Sequence, residues 1–467
     1  MKTSAFFFFG LILVILIPCT PASGQLPEVS TCMGTGQPGF VNGSVDSARF
    51  NHPFGLCMAF DGTLYVADAD NHCIRAVLPF SNTATLAGTG QAGFLDGPAA
   101  TALFNSPSDL CIDPDSGVIY ISDFQNHRIR KIRDGMVSTL AGSGVAGYVD
   151  GPGSQARFNY PRGICLDQAG NLYVSDSWNH RIRKITPGGN VTTWAGGGTA
   201  MGVGSVGALV DAQDTIARFY TPSGLTIDLN ANLYVADAYN HRIRKIDQGQ
   251  LVSTLAGSGP SGSGQGGYQD GPAGLARFNT PTEVFYSCCY CPDNNEVVFV
   301  SDTYNNRIRA VRNLSAPMVS TYAGSGQAAL INGPADSAAF HFPRGLTGLF
   351  GDASCWLFVA DYNNHAIRMI HDYFGGTDIP EAASPAAAFY PNPSEGLVYI
   401  GTAVQPKETL NFFVYDNCGR LVFRETSAAG RPALLNLIHL KQGFYLIRME
   451  RQDGTGFSGK LMLKTDI

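Results

Sequence analysis

The chain has 467 residues, 44% of them hydrophobic and only 15% charged, and that apolar content excludes disorder over most of its length. Lys and Arg number 31 against 37 Asp and Glu, a net charge of −6, so a globally basic nucleic-acid binder is excluded. With 55 Gly, 26 Pro and few helix-forming tracts, an all-helical protein is excluded as well, and the composition points to β-structure with many turns.

The N-terminus carries Lys2, an apolar run from Ala5 to Ile17, Pro18 and the small residues Ala22-Ser23-Gly24. That order predicts a secretory signal peptide over residues 1–24, because the run is short for a membrane span and ends in a small-residue cleavage site. No later segment reads as a transmembrane helix.

A repeat governs the middle of the chain. One twelve-residue pattern occurs six times: Leu64–Arg75, Ile119–Arg130, Leu172–Arg183, Leu233–Arg244, Val298–Arg309 and Leu357–Arg368. Its aspartates are Asp68, Asp123, Asp176, Asp237, Asp302 and Asp361. Each copy reads as four strands. In the third, Phe158-Asn159-Tyr160-Pro161 leads into Gly163–Leu166, then Leu172–Ser175, a tight turn over Asp176–Asn179, Arg181–Ile185 and Val191–Ala195. Four antiparallel strands repeated about an axis predict a six-bladed β-propeller over residues 25–372, whose radial closure removes exposed sheet edges. A fourth-strand segment, Val29–Gly34, precedes the first inner strand, and none follows Ile370. The N-terminal strand is therefore expected to complete blade six.

These residues resemble NHL repeats, whose characteristic turn appears here as Asn-His-Arg-Ile. The resemblance spans residues 29 to 372, with Asn306 in place of the His in copy five, and Cys73 and Ala366 in place of the Arg in copies one and six. These repeats are longer than a minimal one, the excess falling between the fourth strand and the next Phe-Asn-x-Pro.

Residues 373–388, rich in Gly, Ala and Pro, read as a linker. Residues 389–467 alternate short strands with turns, which predicts a small β-sandwich. Pro391-Asn392-Pro393, the Tyr415-Asp416…Gly419 turn and Leu440…Gly443-Phe444-Tyr445 are similar to the type A C-terminal sorting domain of type IX secretion in Bacteroidota. That resemblance implies a Gram-negative cell, passage through the periplasm and across both membranes, contact with the secretion machinery, and release or attachment at the cell surface once the domain is removed.

Loops on a rigid scaffold are where function gathers. The Asp-x-x-Asn-His turns and the connections from each fourth strand to the next blade, including Gly197–Ala217 and Ser258–Ala276, are expected on one face. The repeated aspartates are read as structural: Asp can bond turn N–H groups, Asn tolerates tight turns, and Asp237 faces Arg242 across the hairpin. The positions that vary are read as functional. Phe124, Trp178, Tyr239, Tyr304 and Tyr362 lie in the turns. His52, Phe54, Arg162 and Arg344 lie beside the repeated proline, with Asp109 and Glu283 one position further in. These begin the innermost strands and are expected to ring the channel mouth, where aromatics, arginines and carboxylates can hold a protein, peptide or glycan ligand; the competing reading of the aromatics is packing against the long loops.

The rival function is an enzyme. Propellers similar to this one include lyases with a His-bound zinc in the channel and calcium-dependent lactonases. A zinc site needs about three protein ligands. Five of the nine His (His72, His127, His180, His241, His365) belong to the repeat turn, His371 and His439 lie outside, and only His52 and His341 approach the mouth. No Gly-x-Ser-x-Gly elbow, phosphate loop or His-Glu-x-x-His motif is present. No catalytic residue and no cofactor are predicted, and the channel is the one position left open for a divalent metal. Cys57, Cys111 and Cys165 share one inner-strand position and read as small buried residues. Cys288, Cys289, Cys291 and Cys355 fall in equivalent turns of blades five and six. A disulfide among them suits an exported protein, and a metal site is the alternative.

Overall fold

The computed structural model describes residues 26–373 apart from 60, 79–80, 198–206, 291–294 and 352–353, and beyond them the segments 388–390, 397–401, 410–415, 421–427, 433–437, 443–450 and 456–463. The signal-peptide expectation over 1–24 and nearly all of the linker lie outside the described residues.

Six antiparallel sheets are formed by residues 28–373. Their innermost strands are Pro53–Met58, Pro107–Ile112, Pro161–Leu166, Pro222–Ile227, Pro281–Tyr290 and Pro343–Gly351. These define blades one to six. The sixth sheet closes as expected: Glu28–Met33 pairs with Ala366–Tyr373, Val29 lying opposite Ile370, so the chain's beginning and its last repeat form one sheet.

Each blade has five strands where the sequence suggested four. The extra one is only two residues long. Gly151–Pro152, for example, pairs with the outer edge of Asn190–Ala195. The segment taken as surplus before each Phe-Asn-x-Pro therefore wraps the rim of the blade before returning to the axis.

Both faces of every sheet are buried, which explains strands that read as nearly continuous apolar runs. In blade three, Ile164, Leu172, Val174 and Ile185 pack with Ile129, Ala141 and Phe158 on one side. Cys165, Tyr173, Ile182 and Ala195 pack with Leu225 and Leu233 on the other. The phenylalanines that open the six Phe-x-x-Pro segments (Phe50, Phe104, Phe158, Phe219, Phe278 and Phe340) are all fully buried. Losing one such ring costs about 3–5 kcal/mol, the transfer and cavity terms together.

The repeated aspartate is the hub of each blade. Its side chain is fully buried, and the Arg seven residues on donates Nη1–H to it at 2.6 to 2.8 Å in all six copies. In blade three, Asp176 also accepts the Asn159 N–H at 2.7 Å and the Asn179 side-chain amide at 2.8 Å. Arg183 continues outward to the Val149 carbonyl and to Asp150 in the rim segment, and it lies 5.1 Å from the Phe158 ring centre. Burial pushes these carboxyls up against the pull of their arginines, and Asp68 and Asp361 reach about 6.

This corrects the expected partner of Asp237. Arg242 stands opposite it in register, but the ion pair is made by Arg244, while Arg242 donates to the Asn240 and Gly259 carbonyls. The tight-turn role also falls to a different residue. His72, His127, His180, His241, Asn306 and His365 hold the left-handed backbone with φ between 50° and 56°, and the Asn before each is buried or half-buried in the aspartate network.

Beyond the propeller, 388–390, 397–401 and 433–436 form a three-stranded sheet, and 410–415, 421–427, 443–450 and 456–463 a four-stranded one. Phe412 and Val414 are buried while Asn411 and Phe413 are half-buried, the alternation of a sheet with one covered face. These sheets agree with a small all-β second unit.

Candidate functional site

The turn histidines tie neighbouring blades together. In each, Nδ1 accepts the backbone N–H of the residue before the proline of the next blade: Ser106 to His72, Tyr160 to His127, Thr221 to His180, Thr280 to His241 and His52 to His365, at 3.0 to 3.2 Å. Asn306 does the same for Phe342 through its side-chain oxygen at 3.0 Å. The contact requires an unprotonated nitrogen. Burial holds His72, His127, His241 and His365 below the ordinary histidine value. The interblade role was not read from the sequence, although a position that accepts both His and Asn was its signal: both offer a side-chain acceptor, and both suit the left-handed region.

These clamps bring each turn beside the Phe-Asn-x-Pro segments, and the expected aromatics gather with them. Trp178 packs on Tyr160 with ring centres 4.7 Å apart, and Phe124 packs on the same Tyr160 at 4.8 Å. Tyr239 meets Tyr220 at 5.3 Å and Tyr304 meets Phe342 at 4.9 Å. Trp178 and Tyr304 leave 53% and 52% of their surface open. His52 stacks on Tyr362 at 4.4 Å and holds Asp70 at 2.6 Å.

Tyr362, Phe54, Arg344, Arg162 and Phe124 form one continuous cluster. The Arg344 guanidinium lies 4.5 Å from the Phe54 ring centre and 4.3 Å from that of Tyr362. Arg162 lies 5.8 Å from Phe54 and 5.0 Å from Phe124. Blades three and six, which supply the arginines, stand opposite each other in a six-membered ring. Burial lowers both guanidiniums, Arg162 to about 10, and the charge of Arg344 lowers Arg162 further.

Asp109 and Glu283 come from the other opposed pair, blades two and five, and both are buried. At this position the remaining blades carry Gly55, Gly163, Gly224 and Gly345. A Cβ on Gly55 would lie 2.5 Å from an Asp109 carboxyl oxygen, and one on Gly224 would lie 2.0 Å from a Glu283 oxygen. The glycines thus leave the space that the two carboxyls fill. Asp109 accepts the Ile164 N–H at 2.9 Å and Glu283 the Val284 N–H at 3.0 Å. Burial raises both carboxyls, Asp109 to about 7, and the charge of Asp109 raises Glu283 further. Ionisation of one of the pair therefore disfavours ionisation of the other.

The His341 backbone N–H is held by Asp361, and its ring nitrogen is 3.2 Å from the Asn363 amide. Among the described residues no three His, Cys, Asp or Glu side chains converge on a geometry that would hold a metal ion. Cys57 and Cys165 are buried and Cys111 half-buried, and burial pushes all three thiols up. The expected disulfide group falls on Cys291 and on the side chains of Cys288 and Cys289, which lie outside the described residues. Cys355 is buried, with the Tyr322 hydroxyl 3.8 Å from its sulfur.

Comparison with known proteins returns two families. The NHL repeat matches residues 50–76, 104–132, 158–185 and 219–246. The secretion system C-terminal sorting domain matches residues 388–464. The chain is 32% identical over 297 residues to the chloroplastic protein SUPPRESSOR OF QUENCHING 1 of Arabidopsis thaliana, covering 59% of this chain and 26% of that protein. It is 28% identical over 324 residues to human NHL repeat-containing protein 2, covering 63% and 43%. The chain thus spans less than half the length of these relatives. Among solved structures, a protein from Bacteroides thetaiotaomicron superposes with a TM-score of 0.54 at 19% identity, covering 74% of this chain and 76% of that one. An auxiliary nutrient binding protein from Bacteroides ovatus superposes with a TM-score of 0.53 at 15% identity, covering 75% and 78%. These two show a shared fold.

Proposed function

We propose, from the premise that the chain is an NHL-repeat six-bladed propeller carrying a type IX secretion sorting domain, that its propeller is a binding module for a protein, peptide or glycan. The sorting domain indicates secretion or the cell surface as the place where it acts. Among the described residues no helix is long and apolar enough to cross a membrane.

The observation that carries this reading is the mouth face itself. Six blades locked through their cores and interblade clamps present a preformed collar of aromatics, and Trp178 and Tyr304 keep half their surface open. Preorganised aromatic side chains on a rigid support are what a recognition surface needs, because little entropy is lost on contact. The Bacteroides ovatus protein of the same fold, described as nutrient-binding, agrees with this reading.

The test is a glycan and peptide array probed with the purified exported protein. A signal is expected that falls at least about tenfold for Trp178→Ala or Tyr304→Ala, the scale of an aromatic hot spot. No signal, or one indifferent to both substitutions, refutes the reading.

A further inference from the structure

The two arginines at the mouth lack what a buried guanidinium ordinarily has. Neither Arg162 nor Arg344 makes a side-chain hydrogen bond or an ion pair among the described residues, and the Nε of each is buried without an acceptor. Their guanidinium partners among the described residues are ring faces, with Phe54 shared between them. Cation–π contact offsets part of the desolvation of a guanidinium but leaves its N–H donors unmet. The two charges also repel each other across the same ring.

Among the described residues no carboxylate pairs with either of them. The carboxyls of Asp109 and Glu283 accept N–H groups of the inner strands, Ile164 and Val284, and resist full ionisation together. Asp70 is taken by His52. Two planar donor forks, half-buried and without a hydrogen-bond partner among the described residues, make a place where an anion would gain more than at the surface. Planar forks match a carboxylate best, since each can donate two parallel hydrogen bonds to its two oxygens.

We propose that the channel mouth is a carboxylate site, in which Arg162 and Arg344 hold the ionised group of the ligand while Phe54, Phe124 and Tyr362 flank it. This rests on the reading of the propeller as a binding module and names the chemistry it recognises. A uronic acid and the free C-terminus of a peptide both supply that group.

Titration calorimetry of the full-length protein distinguishes them, using sodium glucuronate against glucose, and a tripeptide with a free C-terminus against its amide, at matched ionic strength. Saturable binding of at least one carboxylate probe is expected, with its uncharged counterpart at least about tenfold weaker. Arg162→Gln and Arg344→Gln should each weaken it about tenfold to a hundredfold, the range for hydrogen bonds to charged groups. Glucuronate binding alone assigns an acidic sugar, and peptide binding alone a chain terminus. Thermal melts of the variants check folding.

The proposal is overturned if neither carboxylate probe saturates, if the neutral probes bind as tightly, or if both glutamine variants bind unchanged. An array signal that survives the arginine substitutions would remove this inference alone. A silent array would remove the binding reading with it.

Discussion

The blade hubs and the inner strands of blades three and six treat their arginines in opposite ways: the hub arginines are fully buried, while Arg162 and Arg344 are half-buried. At each hub the guanidinium meets a buried carboxylate, two backbone carbonyls and a rim residue, and the arrangement recurs six times. At the mouth two guanidiniums from opposite blades meet rings and each other. A feature needed by every blade is a feature of the fold. A feature that breaks the sixfold pattern, and leaves charge uncompensated, is one the fold does not need.

The comparison can be broken first at a hub. Asp123→Ala leaves Arg130 buried without its inner partner, and stripping one member of a buried pair costs about 3–5 kcal/mol. Asp96 on the rim pairs with the same arginine but is 39% exposed, so Asp96→Ala should cost under about 1 kcal/mol. Urea unfolding of the two variants measures the ranking, and equal losses would contradict it.

A smaller effect is expected at the clamps. His72→Ala leaves the Ser106 N–H without its acceptor and puts Ala at φ 50°, a loss of about 1–3 kcal/mol. His72→Asn should recover most of it, as Asn306 does naturally in blade five. If Asn is as costly as Ala, the histidine acts through something other than this hydrogen bond.

The smallest effect is a pH dependence. The folded imidazoles of His72, His127, His241 and His365 lie below their ordinary value, so from about pH 6.5 downward the unfolded chain binds the extra protons. Their contribution is complete above that range and is lost as pH falls. Asp68 and Asp361, raised to about 6, have the opposite sign between their ordinary value and that pH. Unfolding free energy of the wild type and of His72→Asn, measured from pH 7.5 to 5, isolates the histidine term: the variant should lose less on acidification.

Much of this was legible in the chain itself. The six-copy aspartate pattern gave the blade number, and the solitary strand segment near residue 30 gave the closure, because hydrogen-bonding edges must be paired somewhere. The two-residue rim strand escaped, since so short a strand shows no period-two alternation. The partner of Asp237 escaped because register places Arg242 opposite it, while the side chains reach diagonally to Arg244. The positions of Arg162, Arg344, Asp109 and Glu283 at the start of the innermost strands were readable from their place after the proline. Their lack, or sharing, of partners was not, because it depends on contacts across the ring that only closure creates.

The most direct test is a paired measurement of unfolding free energy for Arg183→Met at a hub and Arg162→Met at the mouth. The account predicts a loss of about 3–5 kcal/mol for the first, and no loss or a gain for the second, where an unmet and repelled charge is removed. Equal losses at both positions would show that the mouth arginines belong to the scaffold, and would contradict it.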